Sequence, residues 1–75
     1  MKVTVKLIGP LIYEAGFSEK EIEMGSGSTV ETLLEKIRLS RPRPKVVIRN
    51  GKAVVPNEVL ADGDRIAVSP IYSGG

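Results

Sequence analysis

Leu60-Ala61-Asp62-Gly63-Asp64-Arg65-Ile66-Ala67-Val68-Ser69 reads as a turn that feeds directly into a strand. Asp and Gly favour tight turns because their backbones tolerate conformations that other residues avoid. The alternation after the turn points Ile66 and Val68 to one face and Ala67 and Ser69 to the other. Upstream, Asn50-Gly51 is the pair that a two-residue hairpin demands, since both positions need a positive φ. It separates the β-branched run Lys45–Arg49 from a short returning strand, Ala53-Val54-Val55, which Pro56 ends.

The segment before that run is a helix. Val30, Leu33, Leu34 and Ile37 keep the i, i+3, i+4, i+7 spacing of one apolar stripe. Ser28, three residues before Glu31, fits a capping box. Arg38 falls in the last turn, where a cation suits the helix dipole, and Pro42 and Pro44 forbid continuation. Nearer the start, Val3, Val5 and Leu7 alternate with Lys2, Thr4 and Lys6 as a half-buried strand. Gly9-Pro10 stops it, and Pro10 opens a helical turn, Leu11-Ile12-Tyr13-Glu14-Ala15, closed by Gly16. Residues 19–24 alternate again, with Ile22 and Met24 on one face, until Gly25-Ser26-Gly27 breaks the strand. The order is β-β-α-β-β-β, an α+β arrangement with one main helix across a mixed sheet. Residues 1–70 form the expected domain, and 71–75 a flexible tail.

Seventy-five residues leave room for one domain. With 41% hydrophobic and 27% charged residues, the chain reads as globular. It contains no cysteine and no histidine, which removes disulfides, thiolate nucleophiles, histidine bases and the usual zinc ligand sets. The alternating start is unlike a signal-peptide core, and no apolar run approaches the roughly 18 residues of a membrane span. A cytoplasmic protein follows as the expectation.

Four places invite a functional reading. Gly25-Ser26-Gly27-Ser28-Thr29 is a Gly-rich entry to a helix, but no Lys follows in the P-loop position, so it reads as a turn and cap. Arg38, Arg41, Arg43, Lys45, Arg49 and Lys52 make the middle of the chain basic. No aromatic residue interleaves them, so nucleic acid is not the expected partner. A solvated edge is the first reading and an acidic protein partner the second. Asp62 and Asp64 offer too few oxygens for a calcium loop and read as a turn aiming the last strand. No metal site or catalytic group is expected. That leaves Ile71-Tyr72-Ser73-Gly74-Gly75. Five extended residues reach about 17 Å, and two residues without Cβ can enter a narrow cleft. An α-carboxylate presented on such a tail is a group another enzyme could activate.

The element order, the L-x-D-G-D-x-I stretch at Leu60-Ala61-Asp62-Gly63-Asp64-Arg65-Ile66 and the Gly74-Gly75 ending resemble the ThiS/MoaD family of ubiquitin-like, β-grasp sulfur carriers. The resemblance runs over essentially the whole chain. It implies that an E1-like enzyme, using ATP, adenylates the last glycine, here Gly75, and that a persulfide then converts it to a thiocarboxylate. The chain itself would bind no cofactor. Gly74, Ser73, Tyr72 and Ile71 become the recognised tail. Val47 and Ala67, on the outer sheet face, are expected to meet the activating enzyme together with Ile71 and Tyr72.

Ile8-Gly9-Pro10-Leu11, the longer first connection and the proline-containing tail resemble the small subunit of molybdopterin synthase, with one proline where a pair is common. Arg49-Asn50-Gly51-Lys52-Ala53-Val54-Val55-Pro56 is closer to the thiamine-pathway carrier. The implied sulfur acceptor is the large subunit of molybdopterin synthase or a thiazole synthase. Carriers for transfer RNA thiolation and protein modifiers share the ending. A second class is a binding module: TGS-type domains have the same order, hairpin and D-G-D turn, and contact RNA or a host protein.

Overall fold

The computed structural model describes residues 1–39 and 45–71. Seven elements follow in order: β1 (Lys2–Leu7), α1 (Leu11–Ala15), β2 (Glu19–Glu23), α2 (Val30–Lys36), β3 (Lys45–Arg49), β4 (Lys52–Val54) and β5 (Arg65–Pro70). The strands make one mixed sheet in the order β2-β1-β5-β3-β4. Its centre is the parallel pair β1 and β5, with antiparallel pairing outward on both sides.

The two central strands alternate as their sequences demand. Val3, Val5 and Leu7 from β1 and Ile66 and Val68 from β5 are all buried on the inner face. They join Val30, Leu33 and Leu34 of α2, with Ile37 and Leu39 just beyond it, in one core. The hairpin turn has the expected geometry, with φ of 49° at Asn50 and 87° at Gly51. Pro10 caps α1, and Gly16, at φ 87°, closes it.

Three expectations need correction. The cap of α2 is Thr29, not Ser28: the Thr29 hydroxyl accepts from the Thr32 amide at 3.3 Å. Ser28 turns back and donates to the Gly25 carbonyl at 2.7 Å, so its hydroxyl is committed to the preceding loop.

Arg38 is not in the last helical turn but just past it, at φ 64°. There the Leu39 amide reaches the Leu34 carbonyl at 2.7 Å and the Arg38 amide reaches Glu35 at 3.1 Å. This is the left-handed helix stop that glycine usually occupies. Leu39 and Leu34, both buried, are its accompanying apolar pair.

Val47 does not lie on the outer face. It stands opposite Val68 in the ladder and is 6% exposed, so it belongs to the core. Val46 and Ile48 take the outer face instead.

A left-handed conformation costs an L-residue roughly 1–2 kcal/mol, while glycine adds about 0.4–1 kcal/mol of unfolded-chain entropy. Arg38→Gly should therefore stabilise the domain by about 0.5–1 kcal/mol. A higher urea midpoint at unchanged m-value is the expected result; a lower midpoint would contradict this reading of the helix stop.

Candidate functional site

The last strand is positioned by one buried carboxylate. Asp64 is 5% exposed, and both its oxygens are occupied by N–H donors. Oδ2 accepts from Arg49 Nε at 2.7 Å and from the Ala61 amide at 2.7 Å, and Oδ1 accepts from Asn50 Nδ2 at 2.9 Å. A carboxylate so surrounded is a structural anchor rather than a metal ligand. Burial pushes its pKa up, but the Ala61 amide, the Asn50 amide and the Arg49 guanidinium together hold it below the ordinary aspartate value.

Asn50 completes the clamp, accepting from the Arg65 amide and donating its own amide to the Arg65 carbonyl, at 2.9 and 2.8 Å. The other side of the D-G-D turn is stitched to β1: Asp62 Oδ1 accepts from the Lys2 amide at 2.7 Å, and the Thr4 amide donates to the Asp64 carbonyl at 2.9 Å. The start of β5 is thus fixed between β1 and the β3–β4 turn. Arg49 also reaches Glu58 at 3.2 Å. The sequence marked Asp64 as a turn residue, but its side-chain partners Asn50 and Arg49 lie 14 and 15 positions upstream, which no local pattern reveals.

The outer face is the surface beside the end of β5. Register places Glu19, Lys6, Ala67, Ile48 and Ala53 in one row across all five strands. A depression of about 260 Å³ opens here, with Ile48 and Ala67 among its apolar walls and Lys6, Arg65 and Glu19 at its rim. Ala67 therefore lies where it was expected, beside Ile48 rather than Val47. Ile8, 42% exposed, and Ile71, 51% exposed, extend the apolar character. The remaining tail residues, Tyr72, Ser73, Gly74 and Gly75, lie outside the described residues. Pro70, opposite Lys45, is the last position of β5, and lacking an N–H it suits the end of a ladder.

The model of the ThiS family matches residues 5–75. The chain belongs to the ThiS family. The molybdopterin synthase sulfur carrier subunit of Chlamydomonas reinhardtii is 36% identical to this ThiS-family chain over 69 residues, covering 81% of this chain and 83% of that one. A Pyrococcus furiosus protein assigned to molybdopterin converting factor, subunit 1, superposes with a TM-score of 0.81 at 30% identity, over 93% of this chain and 97% of the other. SAMP1 of Haloferax volcanii gives 0.83 at 26% identity over the whole of both chains. The fold is the β-grasp, and the family is that of ubiquitin-like sulfur carriers. Among the described residues, no helix is long and apolar enough to cross a membrane.

For this ThiS-family domain, Asp64→Asn should lower stability by about 1–2 kcal/mol near neutral pH, because an amide cannot satisfy three N–H donors as a carboxylate does. The folded pKa of Asp64 lies below its unfolded value of about 3.9. Its contribution is therefore complete above that pH and lost as pH falls through the folded value. Urea midpoints measured down an acid series should converge for the two proteins at low pH; a constant gap would contradict the assignment.

Proposed function

We propose that the chain is the sulfur-carrying subunit that serves molybdopterin synthase, and that the carboxylate of Gly75 is the group that carries the sulfur. The observation that carries this reading is the family match, which runs through Gly74 and Gly75. The Chlamydomonas relative points to molybdopterin. The first connection agrees: it holds the helix α1 between β1 and β2, the longer form that marks the molybdopterin type.

In this reading the chain is acted upon and contributes no catalytic group. An E1-like enzyme binds ATP, and a Gly75 carboxylate oxygen attacks the α-phosphorus, releasing pyrophosphate. A persulfide sulfur then displaces AMP from the acyl carbon, and a thiol cleaves the resulting S–S bond to leave the thiocarboxylate. The nucleotide belongs to the partner enzyme, and all of this takes place in the cytoplasm. The large subunit of the synthase is the acceptor. The outer face receives the activating enzyme, with Ala67, Ile48 and Ile71 as contacts and Tyr72, Ser73 and Gly74 entering its cleft. Apolar side chains at the centre of such a face, ringed by Lys6 and Arg65, have the makeup of a docking surface.

A second reading, attachment of Gly75 to lysines of other proteins, draws on the full-length likeness to SAMP1. It uses the same adenylate, with an amine in place of the persulfide.

Incubation with an E1-like enzyme, ATP and a persulfide donor should raise the intact mass by the exchange of one oxygen for sulfur. Deleting Gly75, or adding one residue after it, should abolish the gain. Ala67→Asp should stay folded yet load poorly, whereas Val47→Asp should lose the cooperative fold because it buries an unpaired charge. An unchanged mass across several activating enzymes would overturn the proposal. Isopeptide-linked products without sulfur gain would favour the second reading.

A further inference from the structure

A groove of about 200 Å³ opens on the helix side of the sheet, between β2 and the end of α2. It faces away from the row of Ile48 and Ala67. Phe17, Ile22 and Ile37 give it apolar walls, and Lys20, Lys36 and Arg38 bring three cations to it; among the described residues no carboxylate lines it.

The charge is sorted by strand alternation. Lys20 and Ile22 stand opposite Val5 and Val3 and so share the inner side of β2. Glu19, Glu21 and Glu23 stand opposite Lys6, Thr4 and Lys2 and point to the outer side. An edge strand rich in glutamate thus turns only its cation toward the groove.

Two of the cations are held by contacts of their own side chains. Lys20 Nζ sits 5.8 Å from the centroid of the Phe17 ring, over an apolar wall. Lys36 Nζ donates to the Glu23 carbonyl at 2.6 Å, which leaves two of its three N–H groups for a ligand. Arg38 is fixed at its backbone by the left-handed helix stop. Three full charges outweigh the partial negative charge at the C-terminus of so short a helix.

We propose that this groove docks an acidic segment of a partner protein, which seats one apolar side chain on Phe17, Ile22 and Ile37 and places carboxylates on Lys20, Lys36 and Arg38. Charge complementarity selects the occupant: apolar walls beside three cations reject a basic segment. Because the groove and the outer face lie on opposite sides of the sheet, one partner can hold the groove while another covers Ile48 and Ala67.

The test is an amide NMR titration of the whole chain with a synthetic peptide of alternating aspartate and leucine. Shifts should cluster at Phe17, Lys20, Ile22, Lys36, Ile37 and Arg38, and a lysine–leucine peptide should produce none there. The double variant Lys20→Gln, Arg38→Gly should weaken binding on the order of tenfold. Since Arg38→Gly is expected to stabilise the fold, that loss would not reflect unfolding. Absence of binding, shifts centred on Lys6 and Arg65, or unchanged affinity in the double variant would each overturn the proposal.

Discussion

The ion pair between Asp64 and Arg49, 2.7 Å long and largely out of water, is the contact on which the rest of the molecule's geometry turns. A buried carboxylate is costly unless its lone pairs are filled. Here three donors fill them, and those donors come from the loop before β5 and from the end of β3. Satisfying one charge therefore forces the β3–β4 turn and the start of β5 together. Asn50, already required for the turn by its positive φ, is used a second time to clamp the Arg65 backbone.

That constraint reaches function through register. In a strand, a slip of one residue exchanges the two faces. With Arg65 held by Asn50, Ile66 and Val68 must enter the core, and Ala67 must face outward beside Ile48. Whatever lies beyond Ile71 leaves from a strand whose position is fixed on both sides, by β1 and by β3. The domain thus divides into a buried half that sets the last strand and an outer half that partners can read.

Much of this was legible in the sequence because the deciding signals are local. Strict alternation in β1 and β5 identified their faces, and Asn50-Gly51 identified the hairpin, since few residue pairs accept two positive φ values. Features set by competition or distance were not legible. Ser28 and Thr29 both offer a hydroxyl for the helix cap, and only the loop fold shows that Ser28 spends its own on Gly25. Val46, Val47 and Ile48 are three β-branched residues in a row, so β3 carries no parity of its own and borrows it from β5. Arg38 occupies a left-handed position without glycine's usual mark. The side-chain partners of Asp64, Arg49 and Asn50, are likewise invisible to any short window. Of the candidate site, the resemblance supplied Gly75 and its tail, and alternation put Ala67 on the outer face, while the depression beside Ile48 came only from the assembled sheet.

The proposed function rests on one claim: the domain is a holder, and the chemistry happens on the Gly75 carboxylate. Fragmentation mass spectrometry of the sulfur-loaded chain tests that claim most directly, because it locates the exchanged atom. The whole mass gain should reside in the C-terminal fragment that contains Gly75, with every fragment ending before it unchanged. Sulfur found on any other residue, or spread over several, would contradict the account.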